Sequence, residues 1–478
     1  MNRLTLLGST LAITVLFSGC MVGPRYQRPV VTAPPVYRDA SPAHAPTEIS
    51  PKNTATSLGD LKWSEVFRDE QLKTLITEAL TNNYDLRIAA QRVLEQQARV
   101  GITRSQSLPS VSGGGAYSAI GIPKDALGTA YPSTFHGGGL TAEAAWKLDF
   151  WGLYRRQTEA ERANLLATMW GRRATVSTVV IDVTFAYIQL RSFDKELDIT
   201  RKTLNAQQES LRLTSLREST GSATMTEVHR AQQLLDGTKA ALPGLERQIH
   251  EEENNIALLL GRDPGSIDRS PISLESKALP MADPLEIPPG MPSQLLERRP
   301  DIQQAEAKMI AANARIGVAR AQFFPQVSIT GIGGTATSQF DKLFNTDSRF
   351  WFGAVSISQP LFTGGKLKNN MRLAEETQKE TVIAYRKTIA TAFKDVSNAL
   401  IACRKSKESR LAQEAKINEM REILYLAQAR YNNGRTSYLD VLASDIALFS
   451  EEILLVNSRQ QEALSIVQLY SALGGGWT

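Results

Sequence analysis

Two hydrophobic periods alternate along this chain, and the alternation happens twice. A helical pattern runs over about 83–106 and ends before Pro109; a second runs over about 299–322 and ends before Pro325. Beyond each proline the period drops to two. Over 139–149, Leu140, Ala142, Ala144, Trp146 and Leu148 fall on one side, and Thr141, Glu143, Ala145, Lys147 and Asp149 on the other. Over 351–359, Trp351, Val355 and Ile357 oppose Ala354, Ser356 and Ser358. Such alternation predicts strands with one apolar and one polar face. Val111 and Val327–Ile329 begin their partner strands, and Gly/Ser/Thr-rich loops join each pair into a hairpin.

Each hairpin gives way to a long proline-free helical stretch, Leu153 to Ser219 and Lys366 to Asn432. Stretches of this length make rods of roughly 100 Å at about 1.5 Å per residue. Val176, Val183, Leu190, Leu197, Leu204 and Leu211 recur every seventh residue, with Val179, Ala186 and Phe193 three positions beyond the first of them. Sustained heptads predict coiled-coil packing. The rods end at Thr220-Gly221-Ser222 and Asn432-Asn433-Gly434, where glycine suits a left-handed helix cap, and returning helices run to Gly261 and Gly474.

The shared grammar reflects a duplication. Asp85, Ala98, Arg99, Gly101, Arg104, Gln106 and Pro109 reappear 216 positions later as Asp301, Ala314, Arg315, Gly317, Arg320, Gln322 and Pro325. Further on the offset is 213, carrying Gly221, Val228, Leu235, Leu260 and Gly261 onto Gly434, Val441, Leu448, Leu473 and Gly474. The expected organisation is a first repeat over 62–261 with its hairpin at about 109–150, and a second over 292–478 with its hairpin at about 325–362. A proline-rich connector, 262–291, separates them, since proline stops both helix and sheet.

The chain starts with a basic residue, Arg3, and a short apolar run, Leu4 to Phe17, before Ser18-Gly19-Cys20. This predicts a signal peptide over 1–19. Small residues followed by cysteine resemble a bacterial lipobox, although Phe17 stands where leucine is usual. That resemblance implies cleavage before Cys20 and its acylation. Met21 in the next position implies sorting to the outer membrane. Acyl chains contribute about 0.8 kcal/mol per buried CH2, so several of them anchor firmly. The polar, proline-rich stretch 20–61 is expected to be an extended tether.

Composition removes other classes. The net charge is +5 without a basic stripe of the nucleic-acid kind, and the two cysteines, Cys20 and Cys403, allow no disulfide framework. The histidines, His44, His136, His229 and His250, have no metal-ligand spacing, and no nucleophile–base, phosphate-loop or paired-carboxylate signature is found. No enzyme activity and no cofactor are expected. Outside the signal there is no apolar run of membrane-helix length, so a membrane-spanning role requires a closed β-barrel. Four strands cannot close one, because the smallest membrane barrels use about eight. A barrel must then be shared among copies. Taken alone, the alternation also fits a half-buried soluble hairpin, and the heptads a plain structural coiled coil.

The segments Leu295-Leu296-Glu297-Arg298-Arg299-Pro300-Asp301, Ala311-Ala312-Asn313-Ala314-Arg315-Ile316-Gly317 and Phe323-Phe324-Pro325 resemble the second-repeat signature of the outer-membrane factors of resistance–nodulation–division efflux systems, the TolC-like proteins. Gly23-Pro24-Arg25-Tyr26-Gln27-Arg28-Pro29 and the ending Ala472-Leu473-Gly474-Gly475-Gly476-Trp477 agree with the lipoprotein branch. The resemblance covers the whole chain. It implies a mainly α chain with a membrane β-barrel: a homotrimer pooling four strands per protomer into twelve, above a coiled-coil α-barrel. It also implies docking onto a periplasmic adaptor coupled to an inner-membrane transporter, with Gly221, Ser222, Gly434 and Arg435 at the turns as adaptor contacts. Members carry an acidic ring near the tip of the second repeat. Here Ala443 occupies a position where many have aspartate, which leaves Asp440, its first-repeat counterpart Glu227, and Asp445 as aperture candidates. Asp445 lies five residues on, about 140° round a helix from Asp440. Alternatively, these acids are solvated tip charges paired with Arg435 or Arg230. A type I secretion duct and a coiled-coil envelope tether are the competing functions; the lipid anchor and Gly-Gly-Gly-Trp ending oppose the first, the alternating hairpins the second.

Overall fold

The computed structural model describes residues 21–31, 57–121, 134–270 and 292–477. The signal peptide, Cys20, most of the tether and the greater part of the connector lie outside these residues. The described residues form two compact units, each assembled from three stretches: those within 21–30, 92–169 and 304–386 in one, and those within 31–91, 170–303 and 387–477 in the other.

In chain order the main elements are α1 (Glu70–Asn82), α2 (Tyr84–Ser105), β1 (Ser110–Gly121), β2 (Thr134–Leu148), α3 (Leu153–Ser219), α4 (Met225–Leu259), α5 (Pro300–Ala321), β3 (Gln326–Thr337), β4 (Arg349–Ser358), α6 (Lys366–Asn432) and α7 (Tyr438–Ala472). The duplication is exact in length for most pairs. Helices α2 and α5 have 22 residues each, α3 and α6 have 67, and α4 and α7 have 35. The change of offset falls in the hairpins, where β2 has 15 residues and β4 has 10. Helix α4 continues through Pro243, which removes one ladder hydrogen bond. Among the described residues no helix is long and apolar enough to cross a membrane.

The first unit is built on one antiparallel sheet in the order β1-β2-β3-β4. Its register sorts the side chains. Val111 faces Ala144, Trp146 faces Ile329, and Leu148 faces Val327; Ile329 and Val327 in turn face Val355 and Ile357. The opposite surface pairs Ser112 with Glu143, Lys147 with Ser328, and Ser328 with Ser356, whose hydroxyls share a hydrogen bond of 2.7 Å. Near the β3–β4 tip this polar surface changes character where Ile332 meets Phe352. The outer strands β1 and β4 are each paired along one edge only.

The described start of the tether does not hang free within this unit. Arg156 donates to the carbonyls of Val22 (3.1 Å) and Gly23 (3.4 Å), and Asn313 to that of Pro24 (3.2 Å). Tyr26 and Arg28 both meet the Glu306 carboxylate, at 3.1 and 2.8 Å. Burial is the main influence raising the pKa of the Tyr26 phenol, so it stays protonated and donates. At the foot of the sheet Trp151 stacks on Phe324 with ring centres 4.7 Å apart and donates to the Pro325 carbonyl at 2.8 Å.

The second unit packs α1, the middle of α3 and the ends of α4 and α7 around Phe67, Leu72, Ile76, Leu190, Ile256 and Tyr470, all fully buried. Asp69 caps α1 through the Gln71 and Leu72 amides and accepts from the Tyr187 hydroxyl at 2.9 Å. Arg299, from the Arg-Arg-Pro-Asp segment, pairs with Asp301 at 2.7 Å and donates to the Ala472 carbonyl at the end of α7.

The heptads of α3 develop as the sequence indicates and then change. Val179, Val183, Ala186 and Leu190 are buried. The series through Val179, Ala186 and Phe193 continues with Thr200, Gln207 and Thr214, which are buried as well. One of the two series is therefore polar toward the tip, while the other stays leucine as far as Leu211. Thr200 and Thr214 satisfy their hydroxyls on the carbonyls of Glu196 and Ser210, one turn back.

Both turns at the helix ends are glycine caps of one design. Gly221 and Gly434 have φ of 75° and 67°, and the next residues, Ser222 and Arg435, donate to the Arg217 and Arg430 carbonyls at 2.8 and 2.9 Å. A β-branched side chain in this left-handed conformation costs on the order of 1–2 kcal/mol. Gly434→Val is predicted to lower unfolding stability by about that amount and to speed amide exchange over residues 430–438, whereas an unchanged exchange pattern there would remove the cap from this role.

Candidate gate at the helical tip

At the tip the two repeats are stitched together within the second unit, α3 of the first repeat meeting α6 and α7 of the second. Tyr438, the first residue of α7, is almost wholly buried, and its hydroxyl shares a 3.0 Å hydrogen bond with Ser210. With Ala231 and Val441 it forms a small core, covered by Leu211, Leu424, Ala427, Tyr431 and Leu442. Burial raises the Tyr438 pKa, so the phenol stays protonated. The Tyr431 ring lies tilted against Tyr438 with centroids 5.4 Å apart. Arg217 covers the other ring partner: its guanidinium carbon is 4.8 Å from the Tyr431 centroid, and it donates to Asn432 at 2.9 Å. Two turns along α7, Asp445 accepts from the Gln207 amide at 3.2 Å.

The sequence-derived candidates occupy different environments. Gly221, Ser222, Gly434 and Arg435 form the exposed turns. Glu227 and Asp440 hold the same place, the third residue of a returning helix, but have different local partners. Glu227 closes a capping box, accepting from the Thr224 amide at 2.8 Å, and is half-buried. Asp440 accepts from the Thr436 hydroxyl and is exposed. Among the described residues neither acid is ion-paired to Arg230 or Arg435. Asp445 does not join Asp440. It turns toward α3, and burial holds its carboxyl above the usual carboxylate range. Of the residues that unite the repeats, Asn432 is marked in the sequence by its turn and Tyr438 by the family resemblance, while Gln207, Ser210, Arg217 and Tyr431 carry no mark there. The signal that could have found some of them is the heptad continuation Thr200-Gln207-Thr214.

Comparison with known proteins fits this architecture. Residues 75–262 and 291–475 match the family model described as outer membrane efflux protein. The chain is 33% identical over 469 residues to the cation efflux system protein CusC of Escherichia coli O6:H1, covering 97% of each. It is 34% identical over 477 residues to the solvent efflux pump outer membrane protein SrpC of Pseudomonas putida, again covering 97% of each. Among solved structures, one of CusC superposes with a TM-score of 0.84 at 31% identity, over 96% of this chain and 100% of that one. The open state of the Neisseria gonorrhoeae MtrE outer membrane channel superposes at 0.82 with 26% identity, over 96% and 99%. The duplicated sheet and paired long helices thus define a TolC-like outer-membrane factor. The chain belongs to the outer membrane efflux protein family.

The Tyr438 contacts separate ring from hydroxyl. Tyr438→Phe is predicted to lose about 1 kcal/mol of stability with the Ser210 bond, and Tyr438→Ala about 3–5 kcal/mol with the core. Denaturant titration of the purified protein measures both, and equal losses for the two variants would show that the ring does not anchor the tip.

Proposed function

We propose that this protein is the outer-membrane exit duct of a tripartite efflux pump, a passive path from periplasm to exterior with no chemistry of its own. One observation carries the reading: the sheet has an apolar face, a hydroxyl-rich face and two half-paired edge strands, β1 and β4. In lipid each unpaired backbone group costs several kcal/mol, so the edges need partners. Three copies joined β4 to β1 close twelve strands, with the Ser/Thr face toward water and the Val/Ile/Trp face toward lipid. The same reading takes Cys20 as the acylated anchor and the turns at Gly221, Ser222, Gly434 and Arg435 as the contact for a periplasmic adaptor, itself coupled to an inner-membrane transporter. The names of the relatives concern cations in one case and solvents in another. That range fits a duct whose cargo is chosen upstream.

Exposed Asp440, repeated by threefold symmetry, is the leading aperture charge, and Glu227 follows it in the first repeat. A ring of acids at a constriction selects by sign. The purified, acylated protein in planar bilayers is expected to conduct and to run as a trimer by native mass spectrometry; monomers with electrically silent bilayers would refute the duct. Asp440→Ala is predicted to reduce cation preference in reversal-potential measurements under a salt gradient, and unchanged selectivity would take Asp440 out of the aperture.

A further inference from the structure

The contact between Gln207 and Asp445 is chemically incomplete. Gln207 is only 4% exposed, in the polar stretch of the α3 seam. Its amide nitrogen donates to Asp445, but its amide oxygen is buried with no hydrogen-bond partner. A buried acceptor left unpaired costs about 1–3 kcal/mol. Asp445 in turn has no cation among the described residues. Helix α3 presents it with the neutral Gln207 and, a turn on, Ser210. On its own helix the charged neighbour is Glu452, which repels it, and the phenol of Tyr438 lies at the start of α7. On α6, Arg421 is held by Glu452 at 2.7 Å.

A carboxylate cannot relieve the Gln207 oxygen, because it has no proton to give. A carboxylic acid can. Beside a primary amide it closes a two-bond ring, its carbonyl oxygen accepting from the amide nitrogen and its hydroxyl donating to the amide oxygen. We propose that Asp445 and Gln207 form a proton-operated fastener between the two repeats, tight when Asp445 is protonated and weakened when it is ionised.

The direction follows from burial. Burial of the Asp445 carboxyl between α3 and α7, with repulsion from Glu452, outweighs the Gln207 amide donor, which favours the ionised form, so the carboxyl binds its proton more tightly in the joined tip than when the helices part. Protonation then favours joining. The effect is full below the ordinary carboxylate range and is lost as pH rises through the raised value. Each unit of pKa difference changes the joined-to-parted ratio about tenfold per subunit. On the exit-duct reading, on which its meaning for transport rests, an acidic periplasmic side keeps the tip closed and a more alkaline one favours opening.

The test uses the full-length trimer with Cys403 replaced by serine and spin labels on cysteines introduced at Ser219 and Asn433, which are exposed on the two repeats. The distance distribution is expected to be short and narrow at about pH 4 and to broaden to longer values at about pH 8. Asp445→Asn, close in shape and permanently neutral, should abolish that change. If Asp445→Asn follows the parent across the range, or the parent distances do not move, the fastener is disproved. Conductance measured in parallel separates the two ideas: a silent bilayer with a pH-dependent distance overturns the duct and leaves the fastener standing, and a conducting protein with an invariant distance does the reverse.

Discussion

The backbone hydrogen bonds along the free edges of β1 and β4 govern much of this molecule. A four-stranded sheet with one apolar face has nowhere to bury that face within its own chain. In water the apolar face is a liability; in lipid the edges are. Only a closed ring of strands removes both costs together. The hydroxyl-rich character of the second face then follows, since that surface lines water instead of a packed core.

Duplication supplies the hairpins in pairs but does not make the repeats equivalent. Matching helices agree in length, and both turns use the same glycine cap. Chemistry at the tip nonetheless differs. The first repeat spends Glu227 on its own capping box, while the second leaves Asp440 exposed and buries Tyr438 against the first repeat's Ser210. The outcome is a tip whose two halves recognise each other through unlike residues, with an apolar core around Tyr438 and a polar seam above it. Polar residues at heptad positions give up stability in exchange for a defined register, and here they lie beside the Tyr438 contact that joins the two repeats.

Much of this was legible in the sequence. The bounds of the 67-residue helices coincide with Leu153–Ser219 and Lys366–Asn432, because a long heptad run between a proline-marked hairpin and a glycine cap leaves little freedom. The faces of β2 and β4 were readable because a strand's period is two. The tip partners were not. Gln207 and Asp445, or Ser210 and Tyr438, are more than two hundred residues apart, and nothing local announces that they meet. Counting turns from Asp440 showed that Asp445 points elsewhere, but not that it points at α3. The heptad through Val179, Ala186 and Phe193 loses its hydrophobic mark after Phe193, yet in three dimensions it runs on through threonine and glutamine.

The equal length of α3 and α6 constrains how such a chain can evolve. Removing one residue from α3 alone would withdraw Arg217 by about 1.5 Å and swing it by about 100°, away from Tyr431 and Asn432. A matching loss in α6 restores the level but not the facing of the side chains; only a change of about seven residues preserves both. The length of these helices is therefore inherited in paired, heptad-sized steps, and descendants of this protein can lengthen or shorten only when both copies of the repeat change in concert.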